Sequence, residues 1–292
     1  MPRPSLLATS DLHISHAGNR EVVERIRPMV DGDWLIVAGD VADRVADIEW
    51  TLRLLRDRFE RVIWAPGNHE LWTVSRDEVQ LRGDERYRHL VELCRGLDVL
   101  TPEDEYPVWP GEDEDLVVAP LFLLYDYSWR PAGMTIPEAL EFGRDRGVYC
   151  TDELLLYPDP FPSRQAWFAE RLRITQARLD AIPADRRTVL VSHWPLNRLP
   201  TTILRYPHFA MWCGSEQTED WHLRYRAAVA VYGHLHIPVS FRVDGVRFEE
   251  VSLGYPREWQ QRPEQPPNPV RRIEPADPAR KLFDHNGRRL IG

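Results

Sequence analysis

The chain has 292 residues and a formal charge of −9, a balance that argues against a general nucleic-acid binder. Of its 37 basic residues only Lys281 is a lysine, so a Schiff-base or phosphate-loop lysine would have to sit in a Pro-rich tail with no Gly-rich loop before it. No apolar run is long enough to span a membrane, and Cys94, Cys150 and Cys213 are too few and too scattered for a disulfide framework or a cysteine zinc site. A hydrophobic content of 43% with 28% charged residues is that of a globular protein. Residues 1–10 are too short for a secretory signal, so the expected location is the cytoplasm. The arginine excess reads as a bias of the source genome.

In chain order, Leu6 to Ser10 reads as a strand ending at Asp11, and Arg20 to Val30 has helical apolar spacing. Trp34 to Ala38 is a buried strand followed at once by Gly39-Asp40. Ile48, Leu52, Leu55 and Phe59 share one face of a helix over 45–59. Arg61 to Ala65 is a third strand, running into Pro66-Gly67-Asn68, and a helix follows over 85–97. Strands alternating with helices imply parallel pairing through right-handed crossovers. Leu116 to Leu124 reads as one more strand, and residues 125–162 as an irregular, functional insertion. Ser163 caps a helix to about 182, and strands over 188–192 and 227–232 each run to a histidine. Residues 239–253 form a hairpin turning at Asp244-Gly245. One domain is expected over 1–254, then a Pro-rich tail over 255–292, extended or disordered, that wraps the domain.

Polar clusters follow the ends of five strands: Asp11-Leu12-His13, Gly39-Asp40 with Asp43, Gly67-Asn68-His69-Glu70, His193, and Gly233-His234-Leu235-His236. Ligands gather beyond the carboxyl ends of strands in parallel α/β sheets, so these residues can converge there. Each cluster offers His, Asp or Asn and none offers cysteine, a donor set that suits Mn²⁺, Fe or Zn²⁺. Trp72 reads equally as pocket wall or as core, and Glu70 as a local cap. His16 reads as a solvated loop residue; His89, His222 and His285 fall in helical or tail contexts without a catalytic reading. The acidic run 112–115 reads as a solvated loop, since it lacks the glycine and distal glutamate of a calcium loop.

In order and spacing, over roughly residues 5–254, these motifs resemble the calcineurin-like metallophosphoesterase superfamily. The resemblance implies an α/β fold in which two mixed β-sheets pack together, flanked by helices. It implies that Asp11, His13 and His236 hold one metal ion, that Asn68, His193 and His234 hold a second, and that Asp40 bridges them. Two divalent ions, Mn²⁺ and/or Fe with Zn²⁺ possible, would bind phosphoryl oxygens and acidify a bridging water for in-line attack. His69 would face the leaving group, with Asp43 bonded to its other ring nitrogen to fix the tautomer. Asn68 and His69 would also touch substrate.

The segments between the motifs narrow the resemblance. Residues 192–196, 204–209, 212–214, 231–238 and 245–259 are similar to the actinobacterial subgroup that includes phosphopantetheinyl hydrolases. This implies a phosphodiesterase whose partner is holo acyl carrier protein, from which it releases 4′-phosphopantetheine. A carrier protein is acidic and so is this chain, so a local arginine surface is required. Arg198, Arg205, Arg224 and Arg226 are the candidates, Arg205 foremost as a substrate contact. The alternative is a phosphatase or cyclic-nucleotide phosphodiesterase acting on small phosphate esters, favoured by a narrow aromatic pocket over 125–162. A catalytically silent scaffold is the reading from another class; it should have lost ligands, and all seven are present.

Overall fold

The computed structural model describes residues 3–112, 114–262 and 267–276, and the strand backbone at 282–283 and 289–290. Lys281, His285 and Asp113 of the acidic run lie outside the described residues.

The first half alternates strand and helix. Strands β1 (Leu6–Thr9), β2 (Trp34–Val37) and β3 (Arg61–Trp64) are separated by helices α1 (Ala17–Val23) and α2 (Val45–Arg56). The short helix α3 (Asn68–Leu71), helix α4 (Gly83–Gly96) and strands β4 (Val99–Leu100), β5 (Val108–Trp109) and β6 (Leu116–Pro120) follow. Helix α1 ends at Val23, short of the expected span, where the chain tightens into i→i−3 bonds from Arg25 to Val22 and from Ile26 to Val23; Pro28 bars any resumption. Strand β6 likewise ends at Pro120; Leu121 to Leu124 stay buried but outside the sheet.

The insertion over 125–162 is not irregular throughout. It contains α5 (Ile136–Arg144) and α6 (Asp152–Leu155). A reciprocal capping box starts α5: Thr135 accepts from the Glu138 amide, and Glu138 accepts from the Thr135 amide. Helix α7 (Arg164–Asp180) starts at Ser163, whose hydroxyl accepts from the Ala166 amide at 3.1 Å. Strand β7 (Arg187–Val191), helix α8 (Trp221–Arg224), strands β8 (Ala227–Tyr232), β9 (Ser240–Val243) and β10 (Val246–Glu250) and helix α9 (Pro256–Trp259) come next, then β11 (Arg271–Glu274), β12 (Leu282–Phe283) and β13 (Arg289–Leu290).

The strands form two sheets, ordered β11-β1-β2-β3-β4 and β13-β12-β9-β10-β8-β7-β6-β5. Strands β1 to β4 are parallel, as are β6, β7, β8 and β10; antiparallel β11 and β5 lie on the flanks. Alternation explains why the central strands are apolar on both faces. Leu6, Ala8, Ile36 and Ile63 of the first sheet face Val118, Val189, Val191, Val229 and Val231 of the second. Their neighbours Leu7, Leu35, Val37, Val62 and Trp64 point the other way into a second apolar cluster with Ile48, Leu52, Leu55 and Leu90 of α2 and α4. Strands buried on both faces read as continuous apolar runs. The isolated bridge Ser10–Ser252 ties the sheets at the end where the polar clusters sit.

The tail expected from residue 255 is, where described, part of the fold. Helix α9 packs Trp259 against Asn19, with the indole N–H donating to Asn19 Oδ1 at 2.7 Å. Strand β11 pairs antiparallel with β1 and buries Ile273, covering backbone groups that an edge strand would leave open.

Candidate metal centre

Three glycines let the strand ends approach one another. Gly39 has φ +85°, and a Cβ there would stand 2.6 Å from the Gly67 nitrogen. A Cβ at Gly67 would collide with Asp40, and one at Gly233 with Asp11. The residues after the strands turn sharply: Asp11, His13, Asp40, His234 and His236 have φ of 52°, 41°, 54°, 69° and 56°. Such left-handed backbone costs on the order of 1 kcal/mol or more per residue. Local bonds hold it, among them Asp11 N–H to Gly39 O at 2.9 Å and His13 N–H to Asp40 O at 3.0 Å. Buried Glu70 accepts from the amides of Asp40, Val41 and Gly67 at 2.9, 2.7 and 3.0 Å, so it caps two of the motif loops at once.

The expected ligand atoms converge. His236 Nε2 lies 3.0 Å from Asp11 Oδ1 and 3.1 Å from His13 Nε2. His193 Nε2 lies 3.1 Å from Asn68 Oδ1, 3.3 Å from His234 Nδ1 and 3.4 Å from Asp40 Oδ2. Asp40 Oδ1 accepts the His69 amide at 2.9 Å, which leaves Oδ2 between the two groups, 3.9 Å from His13 Nε2. Asp11-His13-His236 and Asp11-Asp40-His193 each bring one ligand atom per residue within 4.8 Å of one another, and so do His13-Asp40-His69. His234 falls outside these three groupings; its Nε2 is buried without a hydrogen-bond partner.

Donor chemistry fits a cation. His236 Nδ1 is held by Glu258 Oε2 at 2.8 Å and His193 Nδ1 by the Ala38 carbonyl at 2.9 Å, an arrangement that aims each Nε2 into the centre. Asn68 donates its amide N–H to Asp152 at 2.9 Å, which turns its oxygen inward. Burial opposes charge on Asp11, but the His236 charge prevails and its pKa falls to about 2. Burial also opposes charge on Asp40, but His193 and His69 hold it well below the usual carboxylate range. Burial works to lower His193 and His236, yet Asp40 raises the first to about 9 and Asp11 the second to about 10. The carboxylates that draw protons onto these rings would favour a metal cation in the same place. Burial lowers His13 and His69 and so keeps both rings neutral.

Two sequence expectations need correction. Asp43 does not bond His69: its oxygens take the Ser15 hydroxyl at 2.5 Å and the Arg76 guanidinium. His69 instead has its Nε2 3.5 Å from the Tyr255 hydroxyl, and Trp72 against its ring with centroids 3.6 Å apart. Of the four arginines, only Arg205 lines the cavity above the cluster. Arg198 donates to the Trp129 carbonyl, Arg224 pairs with Asp180, and Arg226 donates to the Arg186 and Pro183 carbonyls. His222 pairs with Asp244 away from the site.

That cavity holds about 590 Å³ and is walled by Asn68, His69, His234 and His236, with Tyr149, Arg205, Tyr206 and Phe209 on its outer side. A second lobe of about 580 Å³ is lined by Ser15, His16, Asp43 and Arg76. His69, Trp72, Thr151, Tyr255 and Arg257 line both. Trp72 is therefore pocket wall and core at once. Asp152, Tyr255, Arg257 and Glu258 were not legible in the sequence as site residues. For Glu258 a faint signal existed: Pro256 and Glu258 after Gly254-Tyr255 are the first and third positions of a capped helix.

The sandwich and the Asp, Asn and His residues converging past its strand ends define a metallophosphoesterase. The chain belongs to the calcineurin-like phosphoesterase family, whose pattern runs through residues 4–238 and takes in every expected ligand. It is similar to the [acyl-carrier-protein] phosphodiesterase PptH of Mycobacterium tuberculosis, at 52% identity over 260 residues, 89% of this chain and 80% of that protein. A crystal structure of phosphopantetheinyl hydrolase (PptH) from that organism matches with a TM-score of 0.90 and 51% identity, covering 94% of this chain and 97% of the other. Among the described residues no helix is long and apolar enough to cross a membrane.

Proposed function

We propose that this chain is a dinuclear-metal phosphodiesterase that releases 4′-phosphopantetheine from holo acyl carrier protein. The observation that carries the reading is the likeness to PptH along nearly the whole of both chains. Asp11, His13 and His236 would hold one ion, Asn68, His193 and His234 the other, with Asp40 between them. The mixed oxygen and imidazole set suits Mn²⁺ or Fe, and Zn²⁺ also fits. Two such ions supply Lewis-acid polarisation of phosphoryl oxygens and acidify water.

The protein's own residues do the rest. The water oxygen bonds to phosphorus as the bond from phosphorus to the carrier serine oxygen breaks, and the electron pair leaves on that oxygen. His69, kept neutral by burial, faces it and donates a hydrogen bond to it, and the proton given up by the water restores the serine hydroxyl. Trp72 holds the His69 ring, and Asp152 holds both the Trp72 indole, at 2.7 Å, and the Asn68 amide. Asp43 acts on His69 only through its charge, from its seat between Ser15 and Arg76. The exposed rings of Tyr149 (69%) and Tyr206 (53%) leave the outer lobe open, which suits an arm tethered to a protein better than a closed small-molecule pocket. Arg205, which lines this lobe, would meet an acidic partner. Three free, buried cysteines suit the reducing cytoplasm, where we place the enzyme.

The test incubates Mn²⁺-loaded protein with a holo carrier protein and follows its intact mass. Loss of one phosphopantetheine supports the reading. An unchanged carrier beside rapid nucleotide hydrolysis overturns it in favour of a small-molecule phosphodiesterase.

A further inference from the structure

Residues 254–259, which lie beyond the family pattern, pack against the metal-ligand cluster and set the Tyr255 ring beside it. The Tyr255 ring stacks on His13, with centroids 4.6 Å apart and an interplanar angle of 22°. His236 and His16 meet it edge-on at 4.9 and 5.2 Å. The backbone is held as firmly. The Tyr255 amide donates to Glu258 at 2.8 Å, and Gly254 donates to the Asp11 carbonyl at 3.1 Å while accepting from Asn19 at 2.9 Å. Gly254 has φ +80°, and a Cβ there would stand 2.6 Å from Glu258 Oε2, so the turn needs glycine. All of this aims the phenol hydroxyl at the junction of the two lobes, with one long contact, 3.5 Å to His69 Nε2.

We propose that the Tyr255 hydroxyl is a further catalytic group, a neutral hydrogen-bond donor to the leaving oxygen of the phosphodiester, standing beside His69. The assignment rests on the phosphodiesterase reading of the site. A contact at 3.5 Å is at the edge of hydrogen bonding, so the hydroxyl is placed near His69 without being consumed by it. As the bond from phosphorus breaks, negative charge gathers on the leaving oxygen, and a donor already in position gains strength as that charge develops. No proton need leave the tyrosine. An ordinary phenol is protonated at neutral pH, so the hydroxyl stands ready as a donor. The ring's stacking on His13 fixes the hydroxyl beforehand, so that no reorganisation is required during the reaction.

The experiment compares wild type with Tyr255→Phe on two diesters, methyl 4-nitrophenyl phosphate and methyl phenyl phosphate. Nitrophenolate needs little help to leave and phenolate needs more. The expected loss in kcat/KM is roughly 30-fold on the phenyl ester and under about threefold on the nitrophenyl ester. The ratio of the two rates is the readout; any change in metal occupancy cancels in it. A second readout is equilibrium binding of methyl benzylphosphonate, in which carbon replaces the leaving oxygen. Its Kd should change by less than about threefold, because the donor acts on charge that forms only in the transition state. Equal losses on both esters, or a loss of phosphonate affinity matching the loss of turnover, overturn the assignment and leave Tyr255 as packing. A wild type that cleaves neither ester sinks the phosphodiesterase reading, and the role of Tyr255 with it.

Discussion

Glu258 lies outside every motif, yet one of its oxygens, Oε2, accepts both His236 Nδ1 and the Tyr255 amide, each at 2.8 Å. Substituting Glu258→Ala removes both bonds. The imidazole then loses what holds its proton on Nδ1, and Nε2, the nitrogen facing Asp11, becomes free to carry it. Metal binding must displace that proton. Loss of such an outer partner typically weakens metal affinity by about 10–100-fold, or about 1.4–2.7 kcal/mol. Glu258→Gln keeps one oxygen that can accept both bonds but loses the charge, so its effect should sit near tenfold, the lower end of that range. Titration of the purified proteins with Mn²⁺ against a competing chelator measures this directly. Half the bound metal should weaken, namely the ion held by Asp11, His13 and His236. Wild-type affinity in both variants would refute the reasoning, and so would an equal loss at both ions.

Two further outcomes follow from the geometry. Asp40→Asn should weaken both ions, because Oδ2 sits between the two ligand groups, whereas His69→Gln should keep its metal and lose on the order of 100-fold or more in turnover of an unactivated ester. Loss of metal from His69→Gln, measured by elemental analysis, would instead make His69 a ligand in the grouping His13-Asp40-His69. Glu250 is raised from 4.5 to about 7, first by burial and then by Asp11. A carboxyl that the fold keeps protonated stabilises the protein fully below pH 4.5 and loses that contribution as pH rises through about 7. In metal-stripped protein, the advantage of wild type over Glu250→Gln in urea unfolding should therefore shrink across this window; a difference independent of pH would count against it.

Much of the first sheet was legible in the sequence because its strands are buried on both faces and its helices on one. Continuous apolar runs such as 34–38 and the spacing of Ile48, Leu52, Leu55 and Phe59 record those two conditions directly. The capping box that opens α5 was written in Thr135 and Glu138, and Ile136, Ala139, Leu140 and Gly143 follow at i, i+3, i+4 and i+7, but this short helix sits among turns and prolines that masked it. The Asp43 assignment failed for a different reason. A carboxylate three residues past Asp40 can reach several neighbours, and its actual partner, Arg76, comes from a loop whose approach no local pattern encodes.

The seven proposed ligands and their order were read from the sequence alone, since glycines before Asp40, Asn68 and His234 mark backbone that must turn or pack where no Cβ fits. Tertiary structure alone decided what holds those ligands. Asp152, Glu70 and Glu258 orient Asn68, the Asp40 loop and His236 through one or two hydrogen bonds between residues distant in sequence or hidden in a tail, as when α9 folds back over the site. A ligand turns its chain sharply and so leaves a local mark in the sequence. The group that orients it needs only one oxygen in the right place, and packing of the whole fold sets that place.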